Sequence, residues 1–149
     1  MTEHSFIRAI HRKLPKEIYT WKIHDTYAGG IPDAFYAGPA GILFVEYKYV
    51  KNLPAKESSK IPFKISPLQI QWLENAKKYP FTAVLVVGCE KSGIILKSNF
   101  TNIISKQYYL ANILSIDHIS AWIAEQTLGR LPNGHAQTNI RQLKEGLET

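Results

Sequence analysis

The stretch GILFVEYKYV, Gly41 to Val50, constrains the fold of this chain more than any other. Side chains alternate across a strand, so Ile42, Phe44, Glu46 and Lys48 share one face and Leu43, Val45, Tyr47 and Tyr49 the other. Both faces begin apolar, which predicts an interior strand covered on either side. Towards its end one face turns charged, and a buried carboxylate and ammonium are costly there unless paired. Just upstream, GGIPDAFYAGPAG puts Asp33 at the start of a short strand joined to the first by the turn GPAG. An antiparallel pair linked this way brings Asp33 close to Glu46 and Lys48.

The rest of the chain supplies the covering layers. HSFIRAIHRKL spaces Phe6, Ile7, Ile10 and Leu14 as a helix, which Pro15 interrupts. EIYTWKIHD alternates Ile18, Thr20, Lys22 and His24 against Tyr19, Trp21 and Ile23, the pattern of a strand. SPLQIQWLENAKK predicts a helix with Ser66 as N-cap, Pro67 in its first position, and Leu68, Trp72 and Leu73 on an apolar face. FTAVLVVGC reads as a buried strand and SGIILKS as its hairpin partner; residues 51–65 read as a long Lys/Pro/Ser loop. Beyond Phe100 the pattern weakens, although DHISAWIAEQTL predicts an amphipathic helix capped by Asp117. The order α-β-β-β-α-β-β predicts an α/β fold with a mixed central sheet flanked by helices. A chain of 149 residues suits one domain, expected over 1–128, with a polar tail or loosely docked helix over 129–149.

Charge narrows the partners. Residues 1–80 carry twelve Lys/Arg against seven Asp/Glu, whereas 81–149 carry six against five. Lys48, Lys51, Lys56, Lys60 and Lys64 face only Glu57 within their segment. Such a surface attracts polyanions, above all nucleic acid, or serves as a solvated face. The longest apolar run, Phe81 to Cys89, is far short of the roughly 20 residues that span a bilayer, and no basic-then-apolar leader opens the chain. The expectation is a cytoplasmic protein without a membrane span. The lone Cys89 lies inside the apolar run and reads as a small buried hydrophobe.

Two converging carboxylates, Asp33 and Glu46, form a hard-oxygen site suited to Mg²⁺, which keeps several waters and takes substrate phosphate oxygens for the rest of its octahedron. Lys48 beside them would orient or deprotonate a water, or stabilise charge on a scissile phosphate. Otherwise, Pro-Asp is a common turn dipeptide, and Glu46 with Lys48 would be a same-face ion pair of little energetic weight.

Pro32-Asp33, a twelve-residue spacer and Glu46-Tyr47-Lys48 resemble the PD-(D/E)xK nuclease signature. GGIPDAFY, ISPLQIQWLENAKK and FTAVLVVG are similar to the corresponding segments of the small VRR-NUC-type nucleases, over roughly Tyr19 to Lys97. The resemblance implies a restriction-endonuclease-like core and a metal-dependent DNA endonuclease leaving 5′-phosphate and 3′-hydroxyl ends. Mg²⁺, replaceable by Mn²⁺, would sit on Asp33, Glu46 and the Tyr47 carbonyl, with Lys48 as base or charge stabiliser and Gln69 reaching back from its helix. An early helical glutamate is also implied; Glu3 and Glu17 are the candidates and the sequence singles out neither.

A chain this small leaves little room to read sequence, so its contacts should fall on phosphates. Branched DNA such as flaps or Holliday junctions is the expected substrate. Lys22, Lys51, Lys56, Lys60 and Lys64 are the expected nucleic-acid contacts, and a homodimer would supply paired sites. Sequence-specific restriction, a nickase and an inactive binding module are the alternatives. His24 reads as a polar residue rather than a catalyst, and Tyr108 and Tyr109 suit core and contact equally.

Overall fold

A computed structural model describes residues 1–24 and 29–129. In chain order the elements are α1 (Glu3–Arg12), β1 (Tyr19–Lys22), β2 (Ala34–Gly38), β3 (Gly41–Val50), β4 (Lys60–Pro62) and α2 (Pro67–Ala76). There follow β5 (Thr82–Cys89), β6 (Ser92–Leu96), β7 (Ile103–Ser105), α3 (Lys106–Asn112), β8 (Leu114–Ser115) and α4 (Ile116–Leu128). The architecture is the expected α/β one, a mixed central sheet between helices. Residues 130–149, which hold nearly all of the expected tail, lie outside the described residues.

The sheet runs β1-β2-β3-β5-β6-β8. Among the described residues its one parallel pairing joins β3 to β5, with Glu46 opposite Leu85 and Lys48 opposite Val87. Parallel neighbours need a crossover, which the segment carrying α2 provides. That connection is what carries Gln69 over the end of β3. The Gly38–Gly41 turn closes the β2–β3 hairpin, as its sequence predicts.

Alternation along β3 divides the core in two. Leu43, Val45 and Tyr47 pack with Val84, Val86 and the apolar faces of α1 and α4. On the opposite face Leu85 and Val87 of β5 meet Leu73 of α2, Ile61, Ile104 and Tyr109. Helix α1 lies close on the sheet because Gly88 leaves room for it: a Cβ there would stand 2.6 Å from the Phe6 ring. Its partner α4 holds it from the side, with Ser120 Oγ donating to the Ile10 carbonyl at 3.2 Å.

Two expectations need correction. Residues 51–65 are not a continuous loop, because β4 within them pairs antiparallel with β7 as a separate two-stranded sheet. Ile61 drives this by burying its side chain against the second core layer. The cap of α4 is Ser115, whose Oγ accepts from the His118 N–H. Asp117 lies in the first turn and pairs with Lys13 at 2.6 Å. Starting the helix at Ile116 lets that residue join the core.

Candidate active site

The β2–β3 ladder ends at the pair Ala34–Val45, just where the acidic residues begin. Beyond it the Tyr47 N–H donates to Asp33 Oδ2 at 2.9 Å. A strand residue points its N–H and C=O to the same neighbour, so the Tyr47 carbonyl faces the Asp33 side as well. The turn before Asp33 is pressed onto α2. Gly30 has φ +90°, and a Cβ there would lie 2.5 Å from the Leu68 carbonyl oxygen, so only glycine allows this approach.

Glu46 is 1% exposed. Its Oε1 accepts from Gln69 Nε2 at 2.7 Å and lies 3.2 Å from Lys48 Nζ. Its Oε2 is buried with no hydrogen-bond partner. Burial first, and the negative charge of Asp33 second, push the Glu46 carboxyl up to about 7, against the opposing pull of Lys48. Gln69 is held for this contact by a capping box. Its N–H donates to Ser66 Oγ at 3.1 Å, and its Oε1 accepts from the Ser66 N–H at 2.9 Å. The amide NH₂ is thereby aimed at Glu46.

The structure thus brings Asp33, Glu46, Tyr47, Lys48 and Gln69 together. Of the two early acids the sequence offers, Glu3 is the one whose carboxyl feels the charges of this cluster. Thr2 caps α1 and places Glu3 in its first turn. The Glu3 carboxyl is raised by desolvation first and by the charge of Asp33, against the opposing pull of Lys48 and Lys22. The Thr2–Ser5 capping box fixes where α1 begins. Lys22 stands at this rim, its Nζ 3.2 Å from His4 Nδ1.

The other predicted contacts are dispersed. Lys51, Lys56, Lys60 and Lys64 are exposed and none is ion-paired among the described residues. Their segment is fastened by the β4–β7 pairing and by Lys106, whose Nζ donates to the Pro54 carbonyl at 2.7 Å. His24 is exposed, Cys89 is buried, and the tyrosine pair divides: Tyr109 is core and Tyr108 is exposed. An open cleft of about 530 Å³, lined by Leu96, Lys97, Asn99 and Tyr108 among others, lies at β6 and α3 and has no carboxylate in its lining.

Sequence reasoning gave no hint of a buried polar chain beneath the site. Tyr47 OH lies 2.7 Å from Tyr36 OH, which lies 2.7 Å from His11 Nε2. Burial raises both phenols and lowers His11, with Lys22 adding to the latter. All three groups are therefore held neutral and tie α1 to β2 and β3.

The donor set fits a small hard cation. It offers two carboxylates, one with a buried oxygen lacking any donor, and a backbone carbonyl on the same side. Among the described residues no three His, Cys, Asp or Glu side chains group closely enough to hold a metal, so such an ion would keep several waters.

A solved structure of Hjc from Archaeoglobus fulgidus, a Holliday junction resolvase from an archaeal hyperthermophile, superposes with a TM-score of 0.53 over 79% of this chain and 94% of that one. The likeness is one of fold. Identity is only 13%, no protein-family model matches the sequence, and no curated protein matches it. No helix among the described residues is long and apolar enough to cross a membrane.

Proposed function

We propose that the protein is a Mg²⁺-dependent endonuclease of the PD-(D/E)xK type that cuts DNA, with branched duplexes such as junctions or flaps as its preferred substrates. The observation that carries this is Glu46: a buried carboxylate with one oxygen held by Gln69 and Lys48 and the other without a donor, beside Asp33. An orphaned carboxylate oxygen is a standing cost in a fold that serves no cation. The resolvase-like fold and the basic first half of the chain agree with the reading.

Asp33, Glu46 and the Tyr47 carbonyl would hold the ion. Bound there, Mg²⁺ supplies Lewis-acid polarisation of the phosphate and a more acidic water. Lys48, 17% exposed at its side chain, would receive a phosphate oxygen or orient the attacking water. Gln69 fixes the Glu46 rotamer, and Glu3 adds negative charge at the rim. Lys22 and the lysines of 51–64 would engage phosphates, which position the duplex without reading bases. Cutting both strands of a junction takes two such sites, hence a two-fold pair of chains.

A panel of linear duplex, single strand, flap and four-way junction, with Mg²⁺ or EDTA, tests the proposal. We expect Mg²⁺-dependent cleavage favouring the branched substrates, abolished in Asp33→Ala with binding retained. Tight binding without cleavage of any substrate, with Mg²⁺ or Mn²⁺, would make the chain a binding module instead. Cleavage of linear duplex at one sequence would make it a restriction-type enzyme.

A further inference from the structure

Two large rings stand open on edge strand β1: Tyr19 is 61% exposed and Trp21 55%. Being two residues apart, they project from the same face of the strand. Register pairs Trp21 with Phe35, and the Phe35 ring meets both, at 6.4 Å from Trp21 and 6.1 Å from Tyr19. Neither exposed ring lies parallel to another aromatic ring among the described residues.

Their position relative to the site follows from alternation. Phe35 comes two residues after Asp33 and pairs with Phe44, which comes two before Glu46. The Ile23 N–H donates to the Asp33 carbonyl at 2.8 Å, continuing the β1–β2 pairing up to the aspartate. Trp21 therefore shares the carboxylates' sheet face and stands diagonal to Asp33, a relationship of about 7–8 Å between backbones. Inward, Phe35 packs on Phe44 and Phe44 on Trp72 and Phe81, with centroids 5.1, 5.0 and 5.1 Å apart. The open rings thus rest on a rigid aromatic bed.

We propose that Tyr19 and Trp21 form a stacking ledge for an unpaired nucleobase of the strand whose phosphate reaches Asp33 and Glu46. This rests on the nuclease reading for where the phosphate lies and deepens it by naming what is recognised: unpaired nucleotides next to the scissile bond. The occupant is set by charge and continuity. The chain carries a net charge of +6, and the strand pairing continues from Trp21 opposite Phe35 to the Ile23–Asp33 hydrogen bond at the candidate site. Every base offers a π face, and stacking on an aromatic side chain is worth a factor of roughly ten or more per base.

Binding is measured in EDTA, by anisotropy, for a duplex interrupted by a run of unpaired nucleotides and for a continuous duplex of equal length. Trp21→Ala should weaken the interrupted substrate roughly tenfold more than the continuous one, and Trp21→Phe should recover most of that loss. Oligonucleotide should quench the tryptophan emission of the parent chain and quench Trp21→Phe far less, since Trp72 and Trp122 are half-buried whereas Trp21 is 55% exposed. Equal weakening of both substrates, or none, overturns the ledge. So does a dimer that dissociates on Trp21→Ala, which would assign the rings to a second copy of the chain. Trp21-dependent binding with no cleavage in Mg²⁺ sinks the nuclease reading and leaves the ledge standing. Cleavage without the Trp21 contrast sinks the ledge alone.

Discussion

Asp33 is tied to the strand that bears its two partner charges: the Tyr47 N–H, between Glu46 and Lys48, donates to Asp33 Oδ2 at 2.9 Å. Where the backbone ladder stops at Ala34, an aspartate side chain replaces a strand carbonyl as acceptor. One carboxylate oxygen thus serves the fold.

That bond separates two substitutions. In Asp33→Asn the amide oxygen still accepts from Tyr47, so the fold should hold to within about 1 kcal/mol while Mg²⁺-dependent cleavage is lost. Asp33→Leu strands the Tyr47 N–H and should cost a further 1–3 kcal/mol or so in urea melts. Equal stability of the two variants would show that the hydrogen bond contributes nothing.

Glu46 predicts a pH dependence in the metal-free protein. Its carboxyl rises from 4.5 to about 7 on folding, so the native state holds the proton more tightly than the unfolded chain. Stability from this group is complete below about pH 4.5, falls between there and about 7, and above that is reduced by on the order of 3 kcal/mol. Glu46→Gln should remove this slope from urea melts between pH 5 and 8, and Mg²⁺ should stabilise the parent more at pH 8 than at pH 5. Parallel slopes for parent and variant would place the proton elsewhere.

Gln69 serves two tasks that a pair of variants can part. Ser66→Ala removes the cap of α2 and should cost about 1 kcal/mol of stability while cleavage persists. Gln69→Ala loses the cap contact and also frees Glu46 Oε1, so its turnover should fall at least tenfold at similar stability. A Ser66→Ala turnover as low as that of Gln69→Ala would reduce the glutamine to a capping role.

Glu3→Gln keeps the size and capping of α1 but removes charge beside Asp33, Lys48 and Lys22. The Mg²⁺ concentration for half-maximal cleavage should rise several-fold with the melting temperature unchanged. Unaltered metal dependence would assign the carboxylate to the surface.

The sequence exposes what is local and periodic. Strand β3 has ten residues of clear alternation, and Asp33, Glu46 and Lys48 all belong to one hairpin, so their meeting follows from the turn between them. Ser66 and Gln69 are legible for the same reason, since a capping box spans four residues. By contrast β4 and β7 have three residues each and β8 two, too few to show a period; each exists because a remote partner completes it. The cap of α4 was misread because Ser115 and Asp117 are equally good capping types, and Lys13 draws the aspartate away. Glu3 could not be placed because its neighbourhood depends on how Phe6, Ile7 and Ile10 seat α1 on the sheet. The exposure of Trp21 was hidden for a related reason: alternation gives two faces, not which strand lies at the edge.

The clasp between the two terminal helices has a temporal consequence. Asp33, Glu46 and Gln69 are translated close together and belong to neighbouring strands and their crossover. Glu3 lies on α1, which packs on the sheet and is braced by α4 through Ser120 and Lys13–Asp117. Chains emerge from the ribosome N-terminus first. A growing polypeptide therefore presents Asp33 and Glu46 before α4 is available to brace the helix that bears Glu3.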